Sequence, residues 1–432
     1  MKNLQINFKP LVILLCIAAA FCSCSNDDDV TPAKITYQVA INASPSEGGT
    51  VSPQSGNFDK DQQINITAIP ANGWQFKAWQ GDVTGTENPM QLTVNESKTV
   101  TAVFERDLFY LAENDVTILA PDAAVGDSGV VNGITYTKRT ADQITPENAE
   151  TTCTTGITDM SELFLDQTNF NGDISHWDVS AVTTMNRMFY KASSFNQDLN
   201  HWDVSRVTNM SYMFRNASLF NGNISNWDVS SVMDMSFMFA LTDVFNGDLN
   251  SWDVSNVTDM SRMFLSSITF NSDISNWDVS NVTDMYRMFL AAYAFNVNIS
   301  NWNVGSVTNM ESMFHDAHNF NSNIGNWNVS QVTNMEGMFI RATSFNQNLN
   351  AWNVSNVTNM KHMFNGASLF NGNISNWIVS GVTNMDYMFS NATNFNQNLT
   401  SWCVINIPTE PINFAFGSAL TDGNKPTWGT CF

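Results

Sequence analysis

Basic charge is scarce in this chain. Eighteen Lys and Arg face 40 Asp and Glu, and the formal net charge is −22. Phosphate backbones are bound by clustered Lys and Arg, so nucleic acid is not the expected partner. Long apolar runs are missing too: the stretch from Leu11 to Phe21 is too short to cross a bilayer as a helix. Only five histidines occur, and they form no zinc spacing, nor does any phosphate-cradling Gly loop or nucleophile elbow appear. An aspartate pair acting on glycosides is the one catalytic arrangement that spacing does not remove. Charge is low but apolar content is 43%, so the 432 residues bury a core rather than staying disordered.

Six cysteines are present. Lys2 and Lys9 precede the Leu11–Phe21 run, and Phe21-Cys22-Ser23-Cys24 follows, with Ser25-Asn26-Asp27-Asp28-Asp29 beyond it. This resembles a bacterial lipobox followed by the acidic surface-export tag of Bacteroidota lipoproteins. The resemblance implies a signal peptide over 1–23, lipidation at Cys24, an acidic tether over 24–34 and display at the outer-membrane surface. Cys403 and Cys431 bracket the non-repetitive end of the chain and are read as a disulfide in an oxidising compartment, with Cys153 left as a buried thiol.

Residues 35–105 alternate apolar and polar positions between Gly, Pro and Asn clusters, the pattern of an all-β unit. The strand signals are Tyr37–Ile41, Gly48–Val51, Ile64–Ala68, Phe76–Trp79, Met90–Val94 and Thr99–Phe104. The strings Ser44-Pro45-Ser46-Glu47-Gly48-Gly49-Thr50-Val51, Pro70-Ala71-Asn72-Gly73-Trp74 and Trp79-Gln80-Gly81-Asp82-Val83 resemble the divergent internalin B-repeat domain. That resemblance implies a β-grasp-like spacer. Residues 106–156 are expected to form an N-terminal cap on the region from 157 onward, and Ile134–Thr137 reads there as a strand.

From 157 to 407 one 25-residue word recurs ten times, with tryptophan at every interval from Trp177 to Trp402. A period held that strictly predicts a solenoid, each unit burying its apolar face against its neighbours. In the unit around Trp227, Ile224 reads as a short strand, and Met235, Met238 and Phe239 fall at i, i+3, i+4, one face of a short helix with Asp234 at its N-cap. The expected fold is therefore a β-rich, leucine-rich-repeat-like solenoid of one strand and one helix per coil, closed by a C-terminal cap over 408–432. The word W-D-V-S-x-V-T-x-M-x-x-M-F-x-x-A-x-x-F-N resembles the BspA-like leucine-rich-repeat surface lipoproteins, which implies adhesion or protein binding and fixes no catalytic residue.

The Met-x-x-Met pairs are read as core rather than as copper ligands. Asp178, Asp203, Asp228, Asp253 and Asp278 form a column that gives way to Asn303, Asn328 and Asn353, so an acceptor oxygen, not a charge, is what the turn uses. Ca²⁺ on that column is the alternative reading, and no cofactor is expected. Seven of the eight repeat Lys and Arg lie on the expected helix, joined by aromatic residues. Arg187, Tyr190, Tyr212, Arg215, Phe237, Arg262, Tyr286, Arg287, Arg341 and Tyr387 form the expected partner-binding strip, since Tyr and Arg are typical anchors. The reading is a monomeric, non-enzymatic, lipid-anchored surface protein that binds an extracellular protein. The alternative is a glycan-binding accessory protein.

Overall fold

The computed structural model describes residues 33–431. The signal peptide, Cys24 and the tether as far as residue 32 lie outside the described residues. The chain divides into two compact units, one of residues up to Ile69 with Phe76–Val103, the other of Pro70–Gln75 with Phe104 onward.

The first unit is made of strands. β1 (Thr36–Ser44), β2 (Gly49–Ser52), β3 (Gly56–Asp59), β4 (Gln63–Pro70), β5 (Trp74–Gly81), β6 (Met90–Thr93) and β7 (Lys98–Arg106) form a four-stranded sheet in the order β3-β1-β7-β5 and a three-stranded sheet in the order β2-β4-β6. Alternation decides which side chains go inward: Val39 and Ile41 on β1, Ile64, Ile66 and Ala68 on β4, and Val100 and Ala102 on β7 are buried. Trp79 is 1% exposed, and its indole N–H is satisfied by the Glu87 carbonyl at 3.0 Å. The grasp-like expectation fails, because a grasp lays an α-helix across its sheet. The described residues of this unit hold only a 3₁₀ turn, Ser46–Gly48.

In the second unit, β8 (Tyr110–Leu111) pairs with β9 (Ile118–Leu119), and β10 (Ser128–Val131), β11 (Ile134–Lys138) and β12 (Thr152–Cys153) form a small sheet. These segments meet the first repeat with hydrogen bonds. The Trp177 indole donates to Ala149, the Ile118 N–H to the His176 carbonyl and the Thr154 hydroxyl to Asp178.

The repeats overturn the expected solenoid of strand plus helix. None of the sheets passes through 157–407; each pair of consecutive repeats shares one isolated parallel bridge, from Asp159–Thr184 to Asn359–Asn384. The segments expected to be helical are successive turns. An α-helix needs each N–H to find the carbonyl four residues back. Here the Met238 N–H bonds Met235, three back, while those of Phe237 and Phe239 leave the repeat for the carbonyls of Ser261 and Met263. Phe237 and Leu241 also sit at φ 57° and 60°, left-handed positions through which a helix cannot continue. The i, i+3, i+4 spacing is real but has another cause: tandem turns bring the same residues inward. A segment this short also lies below the length at which a helix nucleates well. Asp234 is accordingly no N-cap; its carboxylate accepts the Ser236 N–H at 2.8 Å inside the bridge.

Neighbouring repeats repeat each other's contacts. Consecutive tryptophan rings from Trp177 to Trp252, from Trp277 to Trp327 and from Trp352 to Trp402 lie parallel at 6.2–6.5 Å between centroids, as Trp202–Trp227 at 6.3 Å and Trp302–Trp327 at 6.5 Å. From Trp202 on, each indole N–H donates to a carbonyl 28 residues earlier, for example Trp252 to Ile224. Met235, Met238, Phe239 and Phe245 are fully buried, as are their copies from Met185 to Phe395. The asparagine after each Phe makes a ladder: the backbone N–H of Asn221 donates to Oδ1 of Asn196, and that of Asn246 to Asn221. At the far end Tyr387, Phe389 and Asn391 donate to Ile412, Phe414 and Phe416, and a disulfide joins Cys403 to Cys431. Cys153 is a free, buried thiol whose ionisation burial pushes upward. Among the described residues no helix is long and apolar enough to cross a membrane.

Candidate functional site

Two turn positions in each repeat adopt positive φ, four residues apart. Seven of the ten strip residues occupy them. Arg187, Tyr212, Phe237, Arg262, Arg287 and Tyr387 share one column, at φ between 55° and 61°, and Arg341 is in the other at 50°. A non-glycine residue pays about 1 kcal/mol or more in this region, and the interlocked cross-repeat hydrogen bonds hold it there. Tyr190, Arg215 and Tyr286 are in adjacent columns. Arg187 and Arg341 are exposed and the other eight are half-buried.

The aromatic and basic side chains engage one another. Arg215 lies over Tyr190 (5.4 Å), Tyr212 (5.6 Å) and Phe237 (5.0 Å). Arg262 lies over Phe237 (4.7 Å) and Tyr286 (4.1 Å), and Arg287 over Tyr286 (4.6 Å). Arg187 reaches Tyr212 at 5.2 Å, and Tyr212 stacks on Phe237 at 4.3 Å. The result is one continuous chain of cation–π contacts from Arg187 to Arg287, each worth about 0.5–1 kcal/mol at a partly exposed site. Arg341 and Tyr387 are not part of it. Arg341 makes hydrogen bonds to Asp316, with Nε at 2.6 Å, and lies 3.2 Å from His315; Tyr387 stacks on His362 at 4.8 Å.

Reading single residues missed the acids that pair with this strip. Arg187 bonds Glu162 (3.0 Å), Lys191 bonds Asp166 (3.0 Å), Arg287 approaches Glu311 (3.6 Å) and Lys361 approaches Glu336 (4.0 Å). The signal was available, because most of these partners are one 25-residue period apart. Arg215 and Arg262 differ from the rest. Among the described residues neither side chain has a carboxylate within 4.0 Å or a hydrogen bond; Nε of Arg215, like that of Arg287, is buried without an acceptor.

The histidines stand apart by environment. His176 is buried and shares a hydrogen bond with the Thr152 carbonyl at 3.0 Å; burial lowers its pKa against the opposing effects of Thr152 and Asp173. His201 is exposed. Burial also lowers His315, with Asp316 opposing and Arg341 adding to the drop. Asp316 is lifted by burial, yet Arg341, His315 and His318 bring it below the usual carboxylate range.

In the aspartate column, Oδ1 of Asp178, Asp203, Asp228, Asp253 and Asp278 accepts the N–H of the serine two residues on at 3.0–3.1 Å. Asn328 and Asn353 do the same at 3.2 Å. Among the described residues no group of three or more His, Cys, Asp or Glu is placed to hold a metal ion.

Comparison with known families divides the chain in a consistent way. Residues 37–108 match the divergent InlB B-repeat domain. Three overlapping stretches, 134–250, 220–325 and 317–423, match the family described as Mycoplasma protein of unknown function, DUF285. No curated protein and no solved structure matches the chain. The three stretches together span residues 134–423, well over half of the sequence, and the chain belongs to that DUF285 family.

Proposed function

We propose that this is a surface-displayed lipoprotein, anchored through Cys24 at the outer membrane, that binds another protein through the strip from Arg187 to Arg287 and turns over no substrate. Repeats and a B-repeat domain of the kinds found in surface proteins are compatible with adhesion or binding, and the BspA-like word of the repeats agrees. The observation that carries the reading is the continuous arginine–aromatic chain. Tyr and Arg held in fixed poses lose little entropy on docking and are the usual anchors of protein interfaces.

The glycan-binding alternative needs open aromatic faces on which sugar rings stack. Here those faces are taken: Tyr286 is flanked by Arg262 and Arg287, and Tyr212 by Arg187, Arg215 and the Phe237 ring. That favours a protein. Protein and glycan arrays probed with the whole chain test the choice. We expect binding on the protein array, lost when Tyr212, Tyr286 and Arg287 are replaced together by alanine. If that triple variant keeps its binding to every ligand found, the strip is not the site.

A further inference from the structure

We infer that the strip takes an acidic peptide segment of its partner, whose carboxylates are received by Arg215 and Arg262. This rests on the protein-binding reading above and adds the chemistry of the partner.

The argument begins with where acids are missing. The strip draws on four turn positions per repeat, the two of positive φ and the residue before each. In the five repeats from Asn186 to Ala291 those positions hold Arg187, Lys191, Arg215, Arg262 and Arg287 and not one Asp or Glu. The chain around them carries a net charge of −22, so an acid-free run of this length is a distinct cationic feature. Acids bracket it instead. Glu162 and Asp166 neutralise Arg187 and Lys191 at one end, and Glu311 meets Arg287 at the other. Between these ends Arg215 and Arg262 have no carboxylate within 4.0 Å among the described residues. The nearby Asp259 and Asp284 accept backbone N–H groups, from Ser261 at 2.7 Å and Tyr286 at 2.8 Å, and Asp284 feels the charge of Arg262 without pairing with it within 4.0 Å.

The two guanidiniums are also held in position. Arg215 lies against three rings and Arg262 against two, and among the described residues neither side chain spends a hydrogen bond on another residue. Only Nε of Arg215 is buried without an acceptor, and no nitrogen of Arg262 is, so their terminal nitrogens reach solvent. A guanidinium held among aromatic rings with its terminal nitrogens left without a partner is arranged to receive a carboxylate. Just beyond the strip positions in the chain, Leu219, Val244 and Ile268 are exposed by 54%, 41% and 38%. A peptide that alternates acidic and aliphatic residues meets both features, whereas an acidic polysaccharide has no use for the second.

The test uses the whole chain and three fluorescent probes: a peptide alternating Glu and Leu, the same peptide with Lys for Glu, and polygalacturonate. Anisotropy should show binding of the Glu peptide alone. Its affinity should fall about tenfold or more between low and near-molar salt, and by a similar factor in the double variant Arg215→Gln, Arg262→Gln. Arg206→Gln, exposed and outside the strip, should leave it unchanged. Binding of the Lys peptide instead overturns this inference but leaves protein binding standing. Polygalacturonate binding that the double variant abolishes overturns both. Failure of the Glu peptide to bind at about 1 mM, the weak limit of specific recognition, overturns the inference alone. If the double variant does not fold, the salt titration of the unaltered chain decides: an affinity indifferent to salt overturns it.

Discussion

Phe270 has its neighbours on three sides: Phe264 of the same repeat at 3.8 Å, and Phe245 and Phe295 of the adjoining repeats at 6.2 Å each. Replacing it by alanine removes contacts from three repeats at once. We expect Phe270→Ala to cost roughly 3–5 kcal/mol in denaturant unfolding, with hydrogen-exchange protection lost first in the repeats on either side. Asp253 answers a different question, whether its turn needs a charge. Hydrogen bonds from Ser255 hold its carboxyl below the ordinary aspartate range. A group whose folded pKa is depressed adds stability above its unfolded pKa and loses it as pH falls through the folded value. Asp253→Asn should therefore soften the loss of stability below about pH 4 and, because its amide oxygen still accepts the Ser255 N–H, cost less at neutral pH than the alanine variant. Asp253→Ala should cost about 0.5–1.5 kcal/mol at neutral pH, because the Ser255 N–H loses its acceptor. A neutral-pH penalty for the asparagine variant as large as that of alanine would mean that the turn needs the charge and not only the acceptor.

At the scale of elements the two units were unequally legible. Each strand signal of the first unit falls on β1, β2, β4, β5, β6 or β7, because period-2 alternation suits a half-buried strand and little else; only β3, with Gly56 and Asn57 blurring its alternation, gave no signal. The repeat was legible in its interior and misleading in its backbone. Burial of the Trp, Met and Phe columns follows from invariance. The helix did not, because apolar spacing reports which residues face inward and not which carbonyl receives each N–H. The strip was found from its residue types, while its pairing with Glu162, Asp166 and Asp316 needed the period to be applied to acids as well. Far-UV circular dichroism should lack the paired minima of α-helix; a strong 222 nm band would contradict the turn assignment. The C-terminal segment is held by hydrogen bonds to the last repeat and by the disulfide closing a loop of 28 residues. Cys431→Ser should lower stability by about 2–4 kcal/mol on loop-entropy grounds, and limited proteolysis should then begin between 408 and 431.

For the molecule as a whole, an acidic chain with one cationic strip sets clear expectations. Association with an acidic partner should be fast and salt-sensitive. Calcium should not matter, since asparagine replaces aspartate along the column and still accepts the same N–H. A ligand that binds only the folded state raises its melting temperature by mass action, so a shift above about 2 °C in millimolar calcium would show that a cation is bound after all. The joints between repeats have a further consequence. Trp252 donates to Ile224 as Trp277 does to Leu249 and Trp377 to Leu349, so the tryptophan joint is the same whichever of these repeats follows. Unequal crossing-over within the gene could thus add or remove multiples of 25 codons without creating a new kind of junction. Selection would then be free to act on reach, and on which outward-facing letters are carried, separately from the ability to fold.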